Sequence, residues 1–186
     1  MAAAPYRLDM TAEQIAAALG AEQGGDVWPG GGVMPGGYAP VVIRGRDRRR
    51  RLVPRQWGVP PPPRGEHSVT HVRNLHSPFW IGTLRHTEFR CLVPATAFYG
   101  SGGGTKGWFG VEGAAVFAIA GIWRDSDVAS YAMLTTDGDG LYPAEGLTTL
   151  LAILRPDDYD LWLSADWKAA QDLVSPARLP LRVMRY

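Results

Sequence analysis

Apolar and polar positions follow a helical period only briefly in this chain and a strand-like one for most of its length. Thr11-Ala-Glu-Gln14 forms a capping box that opens a short amphipathic helix, Ala12 to Leu19, and Gly20 supplies its stop. Residues 20–40 are rich in Gly and Pro and read as a loop carrying Trp28 and Tyr38. Val41-Val42-Ile43 and Leu52-Val53 are short apolar runs on either side of a polar tip, Gly45 to Arg50, the pattern of a hairpin. Pro60 to Pro63 is an extended, stiff segment.

Further strands are expected at Val69–Arg73, Cys91–Val93, Trp108–Val111, Ala115–Trp123, Tyr131–Thr136 and Leu150–Leu154, with turns at Gly102–Gly104 and Asp137–Gly140. Pro156 suits the first position of a helix over Asp157–Leu163. A second helix follows Ser164, and Leu179–Met184 reads as a terminal strand. Strands dominate and helices lie near both ends. The expected class is α+β, a largely antiparallel, barrel-like β core with flanking helices.

Length and composition narrow this picture. The 186 residues suit one domain, with 46% hydrophobic and 20% charged residues. Cys91 is the lone cysteine, which excludes a disulfide framework and points to reducing cytoplasm. No basic start followed by an apolar run, and no apolar stretch of membrane-spanning length, is present, so neither a signal peptide nor a membrane partner is expected.

Charge is uneven. Residues 1–93 hold twelve Arg against seven acids, and residues 94–186 five Arg and two Lys against eleven acids. The basic half concentrates Arg44, Arg46, Arg48, Arg49, Arg50, Arg51 and Arg55 around a single acid, Asp47. A guanidinium presents a planar fork that suits phosphate, so the hairpin tip is a candidate nucleic-acid surface. Bases of a single strand stack on exposed aromatics beside such clusters, and Trp57 and Trp28 are the candidates for that role.

Other motifs dissolve on inspection. Gly100-Ser-Gly-Gly-Gly-Thr-Lys-Gly107 lacks the Gly-Lys-Ser/Thr order of a phosphate loop and runs into a strand, so it reads as a hairpin loop. His67, His71 and His76 follow four prolines in a segment that alternates like a strand, the wrong geometry for a helical metal pair. Asp137-Gly-Asp-Gly140 has Thr148 where a calcium loop needs its final carboxylate. No metal site or cofactor is expected. Cys91 reads as buried and inert.

A set of short motifs then occurs in order along nearly the whole chain. They are Tyr6-Arg7-Leu8, Arg55-Gln-Trp57-Gly58, Val72-Arg73-Asn74, Ser77-Pro78-Phe79-Trp80, Arg90-Cys-Leu-Val-Pro94 with Phe98-Tyr99, Phe117 to Trp123, Leu134-Thr135-Thr136, and Tyr159-Asp-Leu-Trp162-Leu163. Together they resemble the SOS-response-associated peptidase family, which senses abasic sites in single-stranded DNA, and look closest to a bacterial branch of it. The resemblance crosses the Pro60–Pro63 run, which argues for one domain over residues 1–186.

The resemblance implies four reactive groups: an N-terminal cysteine that condenses with the abasic aldehyde, an Asn, a Glu after Phe-Tyr, and a His. Their positions fall near Ala3, at His71, at Gly100, and near Gly146 or Leu147. All four groups are absent here. Arg73 stands where the resemblance implies a DNA contact beside the active site.

The leading expectation is therefore a protein that binds single-stranded or abasic-site-containing DNA without covalent capture, and that senses a lesion or modulates an active paralogue. The nucleic-acid-binding candidates are Arg73, Arg44, Arg46, Arg48, Arg49, Arg50, Trp57 and Trp28. A second expectation is a residual abasic-site lyase in which the amine of Ala2 forms a Schiff base and His71, titrating near neutrality, moves protons. A third is a protein-interaction module. The surface around Arg73 separates the readings: open and positive, or filled by side chains such as His71 and Tyr142.

Overall fold

A computed structural model describes residues 4–102, 105–137, 147, 149–176 and 179–186. The first half of the chain contains β1 (Tyr6–Leu8), α1 (Ala12–Leu19), β2 (Glu22–Gln23), β3 (Gly31–Val33), β4 (Tyr38–Arg44), β5 (Arg50–Trp57), β6 (His71–Val72), α2 (Pro78–Arg85) and β7 (Arg90–Ala95). The second half contains β8 (Ala97–Gly102), β9 (Thr105–Val111), β10 (Phe117–Asp125), β11 (Ala129–Asp137), β12 (Thr149–Leu151) and β13 (Ile153–Leu154). It ends with α3 (Tyr159–Ser164), α4 (Trp167–Ala170) and β14 (Leu181–Met184).

The expected α+β class and barrel-like core are observed. Strands β11, β10, β7, β4 and β5 pair in that order, antiparallel throughout. A parallel pairing of β5 with β11, Ser130 opposite Gln56 and Tyr131 opposite Trp57, closes them into a five-stranded barrel. A second sheet, ordered β14-β9-β8-β1-β3, is antiparallel. Thr96 alone separates β7 of the barrel from β8 of the second sheet. It ties the two together, since its backbone N–H donates to the Arg7 carbonyl (2.8 Å) and its hydroxyl accepts from the Asp9 N–H (3.0 Å).

Local chemistry explains the elements. Thr11 and Gln14 cap α1 reciprocally, and Gly20 takes φ +60°, a left-handed terminus that favours glycine. Every residue of β7 is buried, and its Pro94 lies beyond the two positions, Cys91 and Leu92, at which β7 meets β4. No ladder hydrogen bond to β4 is therefore lost to the missing N–H. One hydrophobic cluster joins both sheets with α1 and α3, with Leu8, Ile15, Leu92, Ile119 and Trp162 fully buried. Each aliphatic member contributes about 1.5–3 kcal/mol by leaving water.

Arg90 is the exception in this cluster. Its side chain is completely buried, and its guanidinium donates to the carbonyls of Leu84 (2.8 Å), Trp162 (2.9 Å) and Ala165 (2.7 Å). It thereby satisfies the otherwise orphaned carbonyls at the end of α3. Burial lowers its pKa to about 10, so it remains charged at neutral pH.

Several expected boundaries shift. The Gly20–Pro40 loop contains β2, β3 and the first residues of β4, because Gly-Gly-Val33 pairs with β1 through its backbone and needs no strand-forming side chains. The strand expected over Val69–Arg73 shrinks to β6, with Val69 held by an isolated bridge to Val59. Leu150–Leu154 splits at Ala152, which accepts from the Ala120 N–H (2.8 Å) and donates to the Leu134 carbonyl (2.9 Å), so the chain passes from β11 to β10 there.

Helix α2 and strand β8 were not foreseen. Ser77 caps α2 and Pro78 occupies its first turn, a signal the sequence carries, but Gly82 and the aromatic pair Phe79-Trp80 mask the helical pattern. Residues Gly100–Gly107 form a hairpin between β8 and β9, as expected; Gly103 and Gly104 lie outside the described residues, as do residues 138–140 of the expected Asp137–Gly140 turn.

Candidate functional site

The barrel's closure and the second sheet meet at an open cleft of about 600 Å³. The β5–β11 pairing brings Trp57 beside Tyr131, the β6–β11 pairing sets His71 opposite Met133, and the β1–β8 pairing sets Tyr6 opposite Phe98. Tyr6, Trp57, His71, Arg73, Tyr99 and Gly100 line the cleft, with Met133, Thr135 and Leu151 contributing further wall.

The wall is tightly organised. The buried hydroxyls of Tyr6 and Tyr131 lie 2.5 Å apart in a mutual hydrogen bond. Burial raises the pKa of both phenols, so they stay protonated. The Trp57 ring stands edge to face against Tyr6 (5.1 Å between centroids) and His71 (5.7 Å), and its indole N–H donates to the Thr70 carbonyl (3.2 Å). His71 Nδ1 lies 3.1 Å from the Thr70 hydroxyl. Desolvation lowers the His71 pKa to about 4, so the imidazole is neutral at physiological pH. The expectation that His71 titrates near neutrality is corrected accordingly. Among the described residues lining the cleft, Arg73 is the charged group and no carboxylate contributes.

Two of the four positions singled out by the family resemblance converge here. His71 and Gly100 line the cleft, and Ala4, next to Ala3, lies at its edge. Met1, Ala2, Ala3, Tyr142 and Gly146 lie outside the described residues. Leu147 is buried against Gly100: a Cβ built on Gly100 would lie 2.8 Å from Leu147 Cδ2 and 3.1 Å from Phe109 Cδ2. The Gly100 position therefore has no room for a longer side chain unless these neighbours shift.

Other sequence candidates are placed elsewhere. Trp57 is fully buried, so its expected role as an exposed stacking surface is corrected: it is a wall residue, held by Tyr6, His71 and Thr70. Trp28 is half-buried against the core, its indole N–H on the Leu8 carbonyl (3.2 Å), and it is not among the cleft residues. Cys91 is buried, and burial pushes its thiol pKa up, as the inert reading anticipated.

The arginine hairpin forms as expected but at the far end of β5, seven residues and about 23 Å from Trp57. Asp47 shapes its tip by accepting from the Arg49 N–H (3.2 Å) and the Arg51 guanidinium (2.7 Å). Arg49 pairs with Glu22 (2.8 Å). Arg50 pairs with Asp160 (2.8 Å) and donates to the Leu19 carbonyl (2.7 Å) at the end of α1, so it fastens two helices to the barrel. Arg44, Arg46 and Arg48 line a separate shallow depression with Thr87, Glu88 and Leu163. Sequence reasoning also missed Tyr6 and Thr135, which line the cleft with His71, and Tyr131, which bonds to Tyr6, since only the strand register brings them together.

Neither His67 nor His76 lines the cleft with His71, and the described residues contain no cluster of three or more His, Cys, Asp or Glu able to hold a metal ion. No described helix is long and apolar enough to cross a membrane.

This architecture occurs in solved structures. A Bordetella bronchiseptica protein matches with a TM-score of 0.77 and 20% identity, over 98% of this chain and 100% of that one. A Bacteroides thetaiotaomicron protein matches with a TM-score of 0.74 and 17% identity, over 97% and 91%. A phage-related protein of Bordetella bronchiseptica matches with a TM-score of 0.70 and 17% identity, over 98% and 94%. At these identities the likeness establishes the fold. No curated protein matches the sequence. The model of the SOS response associated peptidase (SRAP) family matches residues 4–185. The chain belongs to the SOS response associated peptidase family.

Proposed function

We propose that this DNA-damage-associated SRAP protein binds single-stranded or abasic-site-containing DNA at the cleft without forming a covalent adduct. The observation that carries this reading is the packing of Leu147 and Phe109 against Gly100 in a cleft that remains open and holds a cation but no described carboxylate. The Glu position of the resemblance is closed by apolar side chains, while space for a nucleotide persists beside it. Arg73 supplies the phosphate contact at the rim, and the apolar wall of Phe98, Met133 and Leu151 accommodates a base or an abasic sugar. The neutral His71 offers a hydrogen-bond partner rather than a charge.

The test is a titration of fluorescent single-stranded oligonucleotides, intact and with one abasic site, at low and moderate salt. Binding that weakens with salt, falls on Arg73→Ala and leaves no denaturation-resistant adduct is the expected result. A covalent adduct without reductant overturns the non-covalent reading, and one trapped by borohydride supports the residual lyase instead. Absence of binding at low salt overturns DNA binding and leaves a protein-interaction module on this fold.

A further inference from the structure

The outer face of the second sheet carries aromatic rings that extend beyond the cleft. Antiparallel register sets the sidedness. Tyr99 faces Trp108 across β8 and β9, and Trp108 faces Met184 across β9 and β14, so these three share a face. The neighbouring Phe98 and Phe109 point the other way, into the core. By the same alternation Ser101, Lys106, Arg182 and Arg7 belong to the outer face.

The aromatic rings on this face are linked. Tyr99 and Trp108 lie 5.6 Å apart and Trp108 and Tyr186 5.5 Å, both edge to face. Arg7 stacks over the Tyr186 ring at 4.5 Å while its guanidinium pairs with Asp9 (2.6 Å). Tyr186 is 61% exposed, and Lys106 and Arg182 are exposed. Tyr99 and Ser101 belong to the cleft lining as well, so the row of rings runs directly out of the cleft.

We infer that this row, Tyr99, Trp108 and Tyr186 flanked by Arg7, Lys106 and Arg182, is a stacking platform for the bases of a single-stranded DNA whose neighbouring nucleotide occupies the cleft. Ring faces receive bases of any sequence, and the flanking cations meet the backbone phosphates. Arg7 is paired with Asp9, whereas Lys106 and Arg182 stand exposed on the same face, a charge that matches a polyanion. The ring spacing accommodates about two bases beyond the cleft. The platform supplies the stacking function that the buried Trp57 does not. It rests on the proposed binding of DNA at the cleft.

A single nucleotide, thymidine 3′,5′-bisphosphate, and an oligothymidylate of twelve nucleotides distinguish cleft from platform. Tyr186→Ala, at an exposed position, and Trp108→Ala are each expected to weaken binding of the twelve-mer about 10-fold. Binding of thymidine 3′,5′-bisphosphate, which the cleft alone accommodates, is expected to stay within about two-fold of wild type, with an unchanged melting temperature for Tyr186→Ala. Unchanged twelve-mer affinity in both variants, with Arg73→Ala still weakening both ligands, overturns the platform and leaves the cleft reading standing. Failure of the wild type to bind either ligand overturns both.

Discussion

Leu147 and Gly100 are packed so closely that a Cβ on Gly100 would approach Leu147 Cδ2 to 2.8 Å. Leu147 is 5% exposed, and Phe109, which would lie 3.1 Å from the same Cβ, is fully buried. Gly100 in the cleft wall is thus backed by two apolar side chains that leave no space for a larger residue.

Gly100→Ala is therefore expected to destabilise the protein by about 1–3 kcal/mol, the usual range for overpacking. In a Leu147→Ala background the same change should cost clearly less, since the space opened by Leu147 receives the new methyl. Urea denaturation of the four proteins in a double-mutant cycle measures the coupling; additive effects would contradict the packing account.

Acid is expected to weaken the fold through His71. The unfolded ring takes up its proton near pH 6.5 and the folded ring near pH 4, because burial disfavours the charged form. The unfolded state thus binds more protons between these values. The stability held by the neutral ring is complete above pH 6.5 and is lost as pH falls toward 4, by up to about 3 kcal/mol. Melting temperatures of wild type and His71→Asn between pH 7 and 4 check this: the variant should lose a large part of the acid sensitivity.

Tyr6→Phe and Tyr131→Phe should each cost about 1–3 kcal/mol, because each leaves one buried hydroxyl of the 2.5 Å pair without its partner. The double variant should cost less than the two singles combined, since no polar group then remains stranded. Chemical denaturation of all three variants reads the non-additivity.

Arg90→Lys is expected to destabilise the fold by about 2–4 kcal/mol although the charge is kept. An ammonium cannot reproduce the planar fork that meets Leu84, Trp162 and Ala165 from one side chain, nor its packing against Trp162 and Trp167. Loss of order at the end of α3, followed by amide hydrogen exchange, should accompany the drop in melting temperature.

The sequence alone determined the elements whose signals are local. The Thr11–Gln14 box and Gly20 delimit α1 because a capping box and a left-handed stop are local chemistry. The Val41–Ile43 and Leu52–Val53 runs located the central hairpin, though β4 and β5 extend past Pro40 and Pro54, which face each other across the pair. The ordered motifs also identified the family and brought out His71, Arg73 and Gly100 as positions that belong together.

Tertiary structure decided what depends on contacts between distant residues. The parallel closure of β5 on β11 places Trp57 inside the wall, a burial that no feature of Arg-Gln-Trp-Gly announces. The same strand geometry sends the arginine hairpin to the end remote from the cleft, where Glu22 and Asp160 engage Arg49 and Arg50. A run of like charges shows in sequence, but its ion partners lie 27 and 110 residues away. His71 shows the division most plainly: its identity is read from the chain, while its protonation is set by the desolvation that folding imposes.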